Sequence, residues 1–145
     1  MGLPLLLFAS QQDAELEEVS KERAHMDYGL ALITLDSGLE AVMRRVSNHF
    51  DCELTLCQNC ADCVKDFGGR ERGVVVIDGS ICSQPRLMDL QMVLNEAPAW
   101  QVLYLPRINK KNEIKEAMGL GAFGCLHRPV SEQEVRQMVQ SAVGI

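Results

Sequence analysis

Residues 52 to 63, CELTLCQNCADC, carry four of the chain's six cysteines in the pattern C-x4-C-x2-C-x2-C. Thiolates at short spacings are the ligands of structural zinc and of iron–sulfur clusters, and C-x4-C-x2-C matches the start of a plant-type ferredoxin spacing. The three histidines, His25, His49 and His127, are scattered along the chain. Their spacing gives neither a catalytic triad nor a metal set, so they read as surface residues. No Walker loop and no Gly-x-Gly-x-x-Gly is present, and GGRERG at residues 68–73 reads as a loop rather than a phosphate cradle. The basic pairs Arg44-Arg45 and Lys110-Lys111 lack interleaved aromatics and read as solvated faces.

Composition narrows the classes further. The chain has 145 residues, 47% apolar and 23% charged, enough for one domain with a real core. A net charge of −6 and a pI near 5.0 disfavour nucleic acid and anionic membrane as partners and favour a protein or a cation. No apolar run approaches the ~18 residues that span a bilayer. The opening stretch MGLPLLLFAS lacks a basic region and is followed at once by acidic residues, so it is expected to be a strand of the mature chain rather than a signal peptide. Six cysteines without an export signal point to the reducing cytoplasm, where thiols stay free or bind metal.

The elements that must position any site alternate between two periods. Leu30 to Leu35 reads as a buried strand, followed by an Asp36-Ser37-Gly38 turn and N-cap. Leu39, Val42, Met43, Val46 and Phe50 then recur at helical spacing. A second strand around Leu54 and Leu56 precedes a short helix over 60–67. Val74 to Ile77 is β-branched throughout and is expected to be buried on both faces. Further strands are expected at Gln101–Leu105 and Phe123–Leu126, with helices at Leu87–Leu94 and Asn109–Met118. Ser131 and Glu134 form a capping-box pattern that opens a last helix. Five strand–helix units with short loops predict an α/β fold: a doubly wound five-stranded parallel sheet covered by helices on both faces. In such a sheet function collects at the carboxyl ends of the strands, which here carry Asp36, Asp78, Pro106 and Arg128. Residues 1–27 fall outside the five-fold count. They are expected to form an extension, with a strand at Leu3–Phe8 and a helix at Gln11–Met26 or a disordered leader, ahead of one domain at 28–145.

GVVVID at 73–78 and GAFGCLHRPVSEQEV at 121–135 resemble the receiver domain of two-component response regulators, and the resemblance spans about Leu30 to Val143. It implies a (βα)5, CheY-like (flavodoxin-like) three-layer sandwich. It also places Asp78 at the phospho-acceptor position and Asp36 in the acidic pocket, with Leu35 at the second acidic position. Pro106 falls where the family has a hydroxyl residue, Arg128 where it has a lysine, and Cys125 where it has the switch aromatic. Pro106 has neither hydroxyl nor N–H, so it cannot bond a phosphoryl group. One missing carboxylate leaves at most a weak Mg²⁺ site of Asp36, Asp78 and the Ser80 carbonyl. Arg128 carries a planar fork that suits a fixed ion pair with Asp78.

Laid on the same pattern, the cysteine run becomes a strand, a turn and the start of a helix. Cys52 and Cys57 would then point to opposite faces, about 17 Å apart along the strand, too far for one tetrahedral site. Cys57, Cys60 and Cys63 remain as a set that could converge, although free cysteine also serves as a small core residue. The leading expectation is an atypical, non-enzymatic receiver-like regulatory domain of a signalling or transcription regulator, not switched by phosphorylation and without a required cofactor. It would bind a protein partner or a second copy through the last two helices and the fifth strand, with a downstream effector domain to carry output and no direct contact to nucleic acid or membrane. The charges Lys110, Lys111, Glu113, Lys115, Glu116, Glu132, Glu134 and Arg136 would supply pairs across that interface. A working phospho-acceptor at Asp78 with Mg²⁺, and a metal or iron–sulfur module on Cys57, Cys60 and Cys63, are the alternatives.

Overall fold

The computed structural model describes residues 28–66, 72–80, 86–107 and 111–144. The expected extension over 1–27, together with His25, most of the GGRERG loop, Asn109 and Lys110, lies outside the described residues.

Among the described residues, ten elements follow one another in strict alternation. They are β1 (Gly29–Ile33), α1 (Ser37–Phe50), β2 (Leu54–Cys57), α2 (Cys60–Asp66) and β3 (Gly73–Asp78), then α3 (Arg86–Glu96), β4 (Trp100–Leu105), α4 (Lys111–Leu120), β5 (Gly124–Cys125) and α5 (Glu132–Val143). All strand pairs are parallel, and the sheet order is β2-β1-β3-β4-β5. The order reverses between β1 and β3, which opens a crevice at their carboxyl ends.

Strand alternation sorts the core into two layers. Leu30, Leu32, Val74, Val76, Leu103 and Leu105 face one side, where Leu39, Met43, Val46 and Phe50 of α1 meet Val135 and Val139 of α5. Ala31, Ile33, Val75, Ile77, Val102 and Tyr104 face the other side, against α2, α3 and α4. Because both faces are covered, β1 and β3 are buried at every residue, which is why neither shows an apolar–polar alternation in the sequence.

Helix ends are set by identifiable residues. Asp36 is the N-cap of α1: its Oδ1 accepts from the Gly38 N–H at 2.8 Å. Ser131 caps α5, its Oγ accepting from the Glu134 N–H at 3.0 Å. The reciprocal half of the expected capping box is replaced by another contact. The Glu134 carboxylate takes the His127 N–H at 3.0 Å and meets His127 Nδ1 at 3.1 Å. β5 is shorter than the predicted strand, yet Phe123 N–H and Leu126 N–H still donate to Val102 and Tyr104 carbonyls.

Close approach fixes the start of β3. A Cβ at Gly73 would collide with the Gly29 carbonyl oxygen and stand 2.7 Å from the Trp100 ring. Gly124 is equally crowded, but by the flexible end of Met138. Gly73→Ala should therefore destabilise the domain by about 2 kcal/mol, as overpacking against backbone does. Gly124→Ala should cost clearly less, and urea unfolding of the two variants side by side checks the order.

Candidate functional site

Asp78 ends the central strand β3, and its side chain has no solvent exposure. A buried carboxylate is tolerated only when donors replace the lost water. Its Oδ2 accepts from the Thr34 hydroxyl at 2.6 Å. Its Oδ1 accepts from the Ser80 N–H at 3.0 Å, the Ser80 hydroxyl at 2.7 Å and Arg128 Nη2 at 2.7 Å. Burial pushes the Asp78 carboxyl upward, but the bonds from Thr34, Ser80 and Arg128 together outweigh it, and the group is held below its ordinary value. Asp78 is thus ionised and enclosed.

Arg128 arrives from the loop after β5. Nη2 holds Asp78, and Nε donates to the Pro106 carbonyl at 2.8 Å. A guanidinium fork makes these two bonds at once. Pro106 therefore contributes to the site through its carbonyl. Cys125 is buried one turn of chain earlier, on β5; burial, and then the negative charge of Glu113, push its thiol upward. It is a small, inert filler at that place.

Asp36 is joined to Asp78 through Thr34 rather than directly. It is exposed, its carboxylate caps α1, and its N–H donates to Thr34 Oγ1 at 3.0 Å. Asp36 lines an open groove of about 250 Å³ with Leu35, Glu40, Leu56 and Gln58, between the ends of β1 and β2. Thr34, not Asp36, is the residue of β1's end that touches Asp78. The sequence signal for it was a hydroxyl residue closing an apolar run. The donor set fits Mg²⁺ poorly, because the ion prefers oxygen acceptors in an octahedron and here hydroxyl, amide and guanidinium donors already face Asp78. Among the described residues no group of three or more His, Cys, Asp and Glu is placed to hold a metal ion.

The cysteine set belongs to the core. Cys57, Cys60 and Cys63 are buried and packed with Ile33, Ile77 and Leu90 on the α2–α3 side of the sheet. Cys52 packs against the opposite layer. The geometry therefore gives no support to a cysteine-based metal or iron–sulfur module.

Several charges expected on an interface already have partners within the chain. Glu132 bonds Arg45 of α1 at 2.6 Å, Arg136 meets His49 Nδ1 at 3.2 Å, and Glu134 holds His127. Glu113 is buried and accepts from the Tyr104 hydroxyl and the Arg107 N–H, both at 3.2 Å. Its spacing of four from the buried Ala117 is the helical signal that marks it as inward-facing. That side of the molecule also exposes Met118, Leu120 and Phe123, beside the charged Lys111, Lys115 and Glu116.

The depressed titration of Asp78 has a stability consequence. A carboxyl whose folded value is lowered stabilises the fold above its unfolded value, near 3.9, and that contribution disappears as pH falls through the folded value. Asp78→Asn should cost about 3 kcal/mol at neutral pH, because it leaves Arg128 without its counter-charge. Urea midpoints of wild type and variant should converge as pH drops below about 3.9. A gap independent of pH would show that the ionised form is not what the site holds.

No family model and no curated protein matches the chain. Solved structures do match the fold. The signal receiver domain of a DNA-binding response regulator (merR) from Colwellia psychrerythraea is 14% identical, with 82% of this chain and all of that one covered and a TM-score of 0.68. The receiver domain of a response regulator of Saccharomyces cerevisiae, solved with its histidine phosphotransfer protein, is 9% identical over 80% of this chain and 88% of that one, at 0.68. A putative pilus assembly protein (cpaE) from Burkholderia thailandensis is 15% identical over 81% and 99%, at 0.65. The chain has the receiver-domain fold.

Proposed function

We propose that this receiver-fold domain is an atypical regulatory module of a two-component-type signalling or transcription regulator, held in one state by an internal ion pair rather than switched by aspartyl phosphorylation. One observation carries the proposal: Arg128 stands 2.7 Å from Asp78 and already supplies the positive charge that an acceptor site would keep for an incoming phosphoryl group. Phosphoryl transfer depends on positioning and charge neutralisation. Here Pro106 offers no donor, Cys125 is no aromatic, and Mg²⁺ would bind weakly, since it would have to displace Arg128. The module is regulatory rather than catalytic.

Output then runs through protein contact. The surface of α4, β5 and α5 exposes Met118, Leu120 and Phe123 beside a two-residue edge strand. That corner suits a second copy of this chain or a protein partner, and a downstream effector domain would carry the output. The yeast receiver solved with a phosphotransfer protein supports protein partners for this fold. The acidic charge argues against nucleic acid. No helix among the described residues is long and apolar enough to cross a membrane, and a cytoplasmic location fits six cysteines without an export signal.

One observation favours a second reading, a working phospho-acceptor. Asp78 lies at the carboxyl end of β3 and is held ionised, as an attacking carboxylate must be. Acetyl phosphate with Mg²⁺ separates the two. The intact protein should keep its unmodified mass, and beryllofluoride should leave its spectrum unchanged. A phosphoryl-sized mass gain that Asp78→Asn abolishes would replace the first reading with the second.

A further inference from the structure

Leu35 is the most exposed large apolar side chain among the described residues, 66% open to solvent. It takes no part in the hydrogen bonds around Asp78. Instead it lines the groove of about 250 Å³ between the first turn of α1 and β2, with Leu32 and the partly exposed Leu56. The carboxylates of Asp36 and Glu40 stand beside these leucines, and the lining holds no basic residue. Asp36 uses Oδ1 for the helix cap and has no partner for Oδ2 among the described residues. Glu40 meets Arg44 at 3.5 Å, one turn on, with both side chains about half exposed. Such a pair is weak and easily exchanged.

The complement of this groove lies on another part of the same molecule. α4 presents Lys111, Lys115 and Met118 at i, i+4 and i+7, a single exposed stripe. Neither lysine has an ion-pair partner among the described residues. The two lysines are about 6 Å apart along their helix axis, as Asp36 and Glu40 are along theirs, and Met118 follows about 4.5 Å further on. Laid antiparallel to α1, the stripe sets Lys111 at Glu40, Lys115 at Asp36 and Met118 among Leu35 and Leu56. Charge and apolar surface match in the same order. The two surfaces cannot meet within one chain, because α1 and α4 cover opposite faces of the sheet, and the groove and α4 lie toward opposite edges, β2 and β5.

We propose that the groove between α1 and β2 receives α4 of a second copy of this chain, so that copies associate head to tail. Copies of a chain with net charge −6 repel one another except where a basic patch meets an acidic one, and this pairing provides that meeting. Because the two surfaces differ, the contact is heterologous: each copy offers a groove at one end and a helix at the other, and association continues past the dimer. The contact belongs to the small-interface class, below about 1,200 Å², and forms at high local concentration. The proposal goes beyond the regulatory reading, which leaves the α4 corner to a second copy or another protein. It commits to the second copy and adds the surface that receives it.

Sedimentation velocity of the full chain at rising concentration tests it. The wild type should pass from monomer through dimer to larger species. Leu35→Ser removes the apolar contact, and Lys115→Glu sets like charges face to face. Each should weaken association by about tenfold. Both positions are exposed, and an unchanged urea midpoint confirms that each variant is folded. An equimolar mixture of the two variants retains one intact contact, the groove of the Lys115→Glu chain with α4 of the Leu35→Ser chain. It should therefore recover association and stop at the dimer. A wild type that stays monomeric or stops at the dimer overturns the proposal. So does association that survives Leu35→Ser, which would place the contact on α4 alone, or a mixture that fails to associate. None of these residues touches the Asp78–Arg128 pair, so the acetyl phosphate outcome and this one fail separately.

Discussion

A carboxylate with no access to water sits at the end of the central strand, and much of the functional edge is arranged around its charge. Asp78 draws Thr34 from the end of β1, Ser80 from its own loop and Arg128 from the loop after β5. Each partner is itself engaged. Thr34 accepts the N–H of Asp36, which begins α1 as its cap, and Arg128 reaches on to the Pro106 carbonyl after β4. One buried charge thereby ties together the carboxyl ends of four strands. Such a pair is weak evidence for net stability, because desolvation offsets much of its attraction. Its contribution is to tie the loops after β1, β4 and β5 to the end of β3.

On the proposed reading, that arrangement lets a receiver fold stand without the usual acceptor chemistry. This chain places an aspartate at the end of β3. Chemistry depends on whether the residues around it wait for a ligand or satisfy the charge themselves. Arg128 satisfies it, and Glu113 and Tyr104 repeat the pattern one layer away on a second buried carboxylate. Structures that match this fold include response-regulator receivers and a putative pilus assembly protein, all at low identity. Fold alone therefore leaves the role to be argued from the site.

Much of this was legible in the residues. Val74 to Ile77 could be read as a doubly covered strand because β-branched residues ran without alternation, and β3 is buried throughout. The Asp36 and Ser131 caps were visible because short polar side chains stood just before apolar helical stripes. Apart from the Asp78–Arg128 pair, tertiary partners were not visible. Asp36 was a candidate for the acidic pocket, yet its carboxylate went to a local N–H, which competes with any distant partner. Glu113 and Glu134 looked like surface charges because single residues do not reveal that a buried tyrosine or a loop N–H waits for them. The cysteine run was ambiguous for the converse reason. Ligand spacing is a local pattern, whereas Cys57, Cys60 and Cys63 are occupied by the core that the whole sheet creates.

The locked state rests on the Asp78–Arg128 pair in the proposed reading, and a double-mutant cycle measures that pair without assuming any activity. Asp78→Asn, Arg128→Met and the double variant, compared by urea unfolding at neutral pH, give their coupling directly. A coupling of about 3 kcal/mol, with the double variant more stable than either single one, is the result expected of a buried pair whose members are costly alone. A coupling near zero would contradict the account, since Asp78 would then be held by Thr34 and Ser80 and left available for other chemistry.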